Sequence, residues 1–112
     1  MIKIIKVILL MFLLLTIDWQ EPVLANTVDG AKIFEANCAG CHLNGGNIIR
    51  RGKNLKIKAL KKYNMDSIAA ISHIVTYGKN NMSAYKERLS ESEIQAVSTY
   101  VLNQAESNWR KK

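Results

Sequence analysis

The only two cysteines of the chain lie three residues apart, and a histidine directly follows the second. The segment Cys38-Ala39-Gly40-Cys41-His42 has the pattern Cys-x-x-Cys-His. A disulfide between these cysteines would add little stability, because the entropy it removes from the unfolded chain grows with loop length. A small domain without a disulfide framework needs another supplement to its core. The pattern therefore favours a bound group as that supplement.

Cys-x-x-Cys-His is the attachment sequence of c-type haem. Two thiols at this spacing can add to the two vinyl groups of one haem and form thioethers. The adjacent His42 would then lie beneath the iron as the proximal ligand, with its other ring nitrogen free to donate to a carbonyl group. We therefore predict covalent haem c as the cofactor, bound by Cys38, Cys41 and His42.

Three other interpretations of these residues stay open. A thioredoxin-like dithiol normally begins a helix within a strand-helix-strand pattern, and the sequence suggests no strand. A zinc site needs four ligands, and the distant His73 would have to complete the set of Cys38, Cys41 and His42. The third interpretation is a plain disulfide.

The second axial ligand decides what the iron can do. Met82 lies in a loop between the helix stop Gly78 and a helix cap at Ser90, and such an anchored loop can place one side chain over a haem face. Met65 is expected to pack, and His73 is expected at the surface of its helix. We therefore predict Met82 as the ligand. A histidine and methionine pair raises the reduction potential and closes the iron to oxygen, which predicts one-electron transfer and no enzyme activity.

Hydrophobic periodicity predicts helices along the chain and no strand. The expected helices cover residues 28–37 and 55–63, a segment from an Asp66 cap to Gly78, and a last helix that opens with a capping box at Ser90 and Glu93. Residues 43–54 and 79–89 are expected to be loops. The predicted fold class is all-α, in one small domain.

The amino terminus has the features of a signal peptide. Lys3 and Lys6 precede an apolar run over residues 7–17, and Val23-Leu24-Ala25 places small residues where a signal peptidase cleaves. We expect residues 1–25 to be removed and residues 26–112 to form the domain, with no integral membrane segment left. An uncleaved anchor is the alternative, although the run is short for a membrane span.

Positive charge is concentrated in one part of the chain. The net charge is +7, and residues 50–62 contain seven cations and no acid. These seven residues, called the basic segment below, are Arg50, Arg51, Lys53, Lys56, Lys58, Lys61 and Lys62. The segment could attract an acidic partner or simply be a solvated helix face. Nucleic acid is not expected as a partner, because the protein would be exported and no aromatic residues interleave with the segment.

Taken together, these residues resemble the class I c-type cytochromes, and among them cytochrome c6. The likeness covers roughly residues 27–109. The matching segments, in order, are GAKIFEANCAGCHLNGGN, NLK, GKNNMSAY, RLSESEI and YVLNQAESNW. The resemblance implies a domain of four to five short helices around one covalent haem. It also implies that Gly30 and Phe34 of the first helix cross Tyr100 of the last, that Arg88 lies near the haem, and that Trp109 packs near the end of the last helix.

The same resemblance implies a function. Members of this family are soluble carriers that take electrons from the cytochrome b6f complex to photosystem I in the thylakoid lumen of a cyanobacterium or plastid. We expect this chain to do so as a monomer or weak oligomer. The alternatives are a periplasmic or respiratory cytochrome that donates to a terminal oxidase, and a haem protein with a labile sixth ligand that acts as a gas binder or peroxidase.

The chain departs from the family pattern in three places. Ser83 replaces a proline that commonly follows the ligand methionine, which implies a less rigid loop around Met82. Lys86-Glu87 replaces a glycine pair. Ile74 replaces a glutamine that often lies beside the haem, and the loss of that polar group implies a lower reduction potential.

Overall fold

The computed structural model describes residues 1–15 and 28–110 and is helical. The α-helices are α1 (Ile2–Leu15), α2 (Gly30–Asn37), α3 (Ala39–His42), α4 (Ile57–Lys62), α5 (Ile68–Tyr77) and α6 (Glu91–Glu106). Two short 3-10 turns cover Leu43–Gly45 and Arg51–Lys53. Within these described ranges the only β-type pairing is an isolated bridge between Lys79 and Met82. The predicted all-α class is confirmed.

Local side-chain caps explain where the helices begin. The Ser90 hydroxyl accepts from the Glu93 N–H at 3.1 Å, and the Glu93 carboxylate accepts from the Ser90 N–H at 3.0 Å, so the predicted capping box is confirmed. The predicted Asp66 cap of α5 is wrong by one residue. Ser67 has the extended backbone of a cap, and its hydroxyl accepts from the Ala70 N–H at 3.1 Å.

The core lies where α6 packs against α2 and α5. Four of the residues that α6 buries are apolar and repeat at spacings of three and four residues, namely Ile94, Val97, Val101 and Ala105, and Ser98 is buried beside them. α2 contributes Phe34, and α5 contributes Ile71 and Val75. The helices of residues 30–106 thus form one continuous apolar cluster, to which the cysteine-containing α3 contributes Ala39.

The crossing of α2 and α6 has the geometry that the resemblance implies. The rings of Phe34 and Tyr100 lie 5.4 Å apart, and Trp109 joins them with its ring 5.2 Å from that of Phe34. A Cβ atom on Gly30 would meet the Ala96 carbonyl group and would lie 2.9 Å from Cβ of Tyr100. The close approach of the two helices therefore requires glycine at position 30.

The first helix, α1, is separate from this core. Each of its residues is exposed, and no other helix of the described ranges packs against it. Among the helices that the structure describes, none is both long and apolar enough to cross a membrane. The expected cleavage site after Ala25 lies outside the described residues.

Substitution Gly30→Ala should destabilise the domain. The added methyl group overlaps backbone of α6, so we expect the free energy of unfolding to fall by about 1–3 kcal/mol. Urea denaturation of the haem-loaded protein measures this change. Gly52→Ala is the matched control, because an added Cβ there meets nothing within 4 Å, and it should change stability by less than about 0.5 kcal/mol. Equal denaturation midpoints for the two variants would contradict the close crossing.

Candidate functional site

Cys38 precedes a single turn of helix, and Cys41 lies within it. Cys38 ends α2 and begins α3, and Cys41 lies within α3, one residue before His42. Both are free thiols, Cys38 partly buried and Cys41 exposed. No disulfide joins them, so both sulfur atoms are available to form thioethers.

The electrostatic environment of Cys38 argues against a redox-active dithiol. Burial raises the pKa of the Cys38 thiol to about 11. Reactive dithiols instead lower the pKa of the attacking cysteine, because the thiolate is the nucleophile. Among the residues that the structure describes, no three His, Cys, Asp or Glu side chains cluster as a metal site. The closed zinc site considered from the sequence is therefore not formed within these ranges.

A backbone carbonyl group fixes the ring of His42. The distance from Nδ1 of His42 to the Gly46 oxygen is 2.8 Å. Since a carbonyl oxygen only accepts, Nδ1 is the donor, and in the neutral imidazole this tautomer leaves the lone pair of Nε2 free. The chain turns back to bring Gly46 there because Asn44 and Gly45 both adopt left-handed backbone angles, with φ of 53° and 78°. The sequence predicted a carbonyl partner but did not identify Gly46.

Met82 lies in a tightly held turn after α5. Gly78, with φ of 70°, ends that helix. The Lys79 N–H then donates to the Met82 oxygen at 3.0 Å, and the Met82 N–H donates to the Lys79 oxygen at 2.9 Å. The Met82 side chain is partly buried and packs against the core cluster. A partly buried thioether in a held turn could serve as a ligand to a group bound in the domain.

The loop that carries Met82 is tied to the cysteine motif. The Tyr85 N–H donates to the Val75 oxygen at 2.9 Å, which holds the loop on α5. The Tyr85 hydroxyl donates to the Asn37 oxygen at 2.9 Å, and Asn37 directly precedes Cys38. Tyr85 thus links the loop of Met82, the expected distal ligand, to the segment of His42, the expected proximal ligand.

The other two candidate ligands lie in different environments. Met65 is partly buried against the core, as Met82 is, so burial does not distinguish the two methionines. His73 is exposed, and its ring stacks 4.8 Å from that of Tyr77 on the outer face of α5. The exposed position of His73 agrees with the sequence analysis, and Met82 as the sixth ligand stays a prediction.

Two cations of the basic segment lie beside Gly46. All seven residues of the basic segment are exposed. Arg51 and Lys56 line a cavity of about 320 Å³ together with Gly46, the residue that binds His42. Cations beside the proximal residue suit the carboxylates that a haem carries. Arg88 is exposed, with its guanidinium 4.3 Å from the centre of the Tyr85 ring. The donor set and the local charge therefore fit haem c.

Comparison with known proteins places the chain in a family. The family model described as "Cytochrome C oxidase, cbb3-type, subunit III" matches residues 25–101. A cytochrome c6-like protein of Nostoc sp. strain PCC 7120 is 62% identical over 109 residues, which cover 96% of this chain and 98% of that protein. Cytochrome c6 of Aphanizomenon flos-aquae is 52% identical over 87 residues, which cover 78% of this chain and 100% of that protein.

A solved structure agrees with these relatives. The crystal structure of cytochrome c6C from Synechococcus sp. PCC 7002 is 64% identical, covers 70% of this chain and 95% of its own, and superposes with a TM-score of 0.68. Proteins of this kind carry covalent haem c with iron and transfer electrons rather than catalyse a reaction. The chain belongs to the cytochrome c6 family of class I c-type cytochromes.

Proposed function

We propose that Cys38 and Cys41 attach one haem c and that His42 and Met82 are its axial ligands in a one-electron carrier. The observation that carries the proposal is the Nδ1–H of His42 donating to the Gly46 oxygen at 2.8 Å, because it orients the ring and leaves Nε2 free to bind. The inward packing of Met82 supports the opposite ligand. Haem, when bound, supplies an iron that alternates between ferrous and ferric states.

Hydrogen bonds around His42 and Met82 would keep these two side chains in place while the charge of the iron changes. Gly46 fixes the imidazole plane, and the paired Lys79 and Met82 backbones fix the turn on the other side. Tyr85 joins the two through its bond to the Asn37 oxygen. Electron transfer is fast when little nuclear rearrangement accompanies it, and this network restricts such rearrangement.

Substitution Met82→Ala tests the sixth ligand. We expect loss of the weak far-red absorption band that thioether sulfur gives with ferric iron, a lower reduction potential, and carbon monoxide binding to the reduced protein. Absorption spectra and a potentiometric titration measure these changes. Met65→Leu and His73→Ala are the controls, and both should keep the band. A Met82→Ala protein that retains the band, or a parent protein that binds carbon monoxide rapidly, would refute the assignment.

The physiological role that we propose is transfer of electrons from the cytochrome b6f complex to photosystem I. Relatives named cytochrome c6 from several cyanobacteria support this role. We place the protein in the thylakoid lumen of a cyanobacterium or plastid, with the bacterial periplasm as the alternative, and expect it to act as a monomer or weak oligomer. The exposed basic segment favours an acidic docking surface on the partner.

Flash-induced oxidation by photosystem I tests the partner. If the basic segment docks on an acidic surface, the oxidation rate should fall as salt is added, because salt screens exposed charges. The variant Lys58→Glu/Lys61→Glu should lose about tenfold in rate at low salt, the lower end of the effect of electrostatic steering. Lys32→Glu changes an exposed cation of α2 outside the segment and should lose little. Rates that respond to neither salt nor the double variant would show that the segment is only a solvated surface.

Donation to a terminal oxidase is the second candidate function. The family model that matches residues 25–101 is itself named for a subunit of a cytochrome oxidase. The same protein can be offered to membranes that contain such an oxidase and lack photosystem I. Oxidation of the reduced protein by these membranes, together with no flash-induced oxidation by photosystem I, would favour this candidate.

We also propose that residues 1–25 are a signal peptide. α1 contains the basic Lys3 and Lys6 in its first half, and an exposed apolar run follows them, as in an export signal. Mass spectrometry of protein isolated from whole native cells should find a polypeptide that begins at Asn26 and carries the added mass of one haem. A mass that includes residues 1–25 would support the membrane anchor instead.

A further inference from the structure

Trp109 occupies an unusual backbone position just after α6. Asn108 and Trp109 are consecutive residues with left-handed φ angles of 57° and 56°. This conformation is unfavourable for a residue with a side chain and is rare for a bulky one. The Trp109 N–H donates to the Gln104 oxygen at 2.7 Å, which secures the reversal. The chain therefore bends sharply to turn the indole back towards the domain.

The indole reaches the loop that follows the haem motif. Its ring lies against the Cα of Gly45, so a Cβ atom there would overlap the indole. Its Nε1–H donates to the Leu55 oxygen at 3.0 Å, across 54 residues of sequence. The Leu55 N–H in turn donates to the Gly45 oxygen at 2.7 Å. Trp109 thus contacts Gly45 directly and also holds the residue that binds the Gly45 carbonyl group.

Gly45 and Gly46 share the next peptide group, and Gly46 provides the carbonyl that accepts the His42 ring proton. The Gly46 N–H donates to the Leu43 oxygen at 3.0 Å and the Gly45 oxygen accepts from the Leu55 N–H, so both polar groups of the shared peptide are hydrogen-bonded. A continuous chain of hydrogen bonds and peptide groups therefore runs from Trp109 through Leu55 and the two glycines to His42.

We propose that Trp109 is a positioning residue for His42: it fixes the Gly45-Gly46 segment and thereby sets the strength of the His42 hydrogen bond. A strong bond at Nδ1 raises the basicity of the ligand nitrogen and favours ferric iron, which lowers the reduction potential. Loss of the indole donor should loosen the Gly46 carbonyl group and raise the potential. The inference rests on the proposed role of His42 as the proximal ligand.

Substitution Trp109→Phe tests this role in the haem-loaded protein. Phenylalanine keeps an aromatic ring near Phe34 but removes the N–H donor. We expect a higher reduction potential, and exchange of the His42 Nδ1–H with solvent that is faster by about fivefold, the factor that one net hydrogen bond is worth. A potentiometric titration and proton NMR measure the two quantities. A variant with parent values of both, whatever its stability, would overturn the proposal.

Two further variants distinguish a positioning role of Trp109 from a packing role. Ser98→Ala removes a buried hydrogen bond of 2.7 Å to the Ile94 oxygen, remote from the Gly45-Gly46 segment, so it should lower stability and leave both readouts unchanged. A benzothiophene analogue of tryptophan at position 109 keeps the shape of the indole without its donor and should reproduce the shift of Trp109→Phe. Parent values with the analogue would overturn the hydrogen-bond route.

The parent spectrum distinguishes failure of this inference from failure of the proposed function. In the ferric protein an iron-bound His42 should give strongly hyperfine-shifted ring resonances. Their absence would refute the ligand assignment and the positioning role together. Shifted His42 resonances that do not respond to Trp109→Phe would refute the positioning role alone.

Discussion

The structure of the site depends on one hydrogen bond, from Nδ1 of His42 to the carbonyl oxygen of Gly46. An imidazole next to an attachment cysteine can rotate about its side-chain bonds, and only a fixed acceptor selects one ring plane and one tautomer. The acceptor comes from the backbone just four residues later, which demands an immediate reversal of the chain. Asn44 and Gly45 supply the left-handed backbone angles for that reversal. The indole of Trp109 lies so close to Gly45 that a Cβ atom there would overlap it.

The loop that carries Met82, on the opposite side of the site, is held by different contacts. The family commonly has proline after the ligand methionine, and here Ser83 is exposed in its place. The loop is instead held by the reciprocal bonds of Lys79 and Met82 and by the bonds from Tyr85 and Lys86 to the end of α5. Lys86, which replaces a glycine, keeps its backbone N–H in a 3.2 Å bond to the Thr76 oxygen. Backbone hydrogen bonds thus compensate for the rigidity that a proline ring would provide.

Local patterns predicted the features that depend on near neighbours. The apolar period of α6 and its capping box are encoded within a few residues, and both are present. The Asp66 cap was wrong because two adjacent residues could each cap α5, and only the extended backbone of Ser67 decides between them. The bonds of Trp109 to Leu55 and of Tyr85 to Asn37 join residues 54 and 48 positions apart, so no local pattern indicates them. Family resemblance placed Trp109 near the last helix but did not reveal its partner.

These long-range bonds explain how a small helical domain can combine stability with a defined redox site. α6 packs on α2 and α5 and provides most of the buried core, yet the residues expected to bind haem lie on short segments outside it. Trp109, just beyond α6, connects that helix to the segment around His42 through its hydrogen bond to the Leu55 oxygen. Tyr85 connects the Met82 loop to the end of α2. Because each link ends on a backbone carbonyl group, its geometry does not depend on a second flexible side chain. The residues that we propose as ligands can therefore be held by the same core that stabilises the fold.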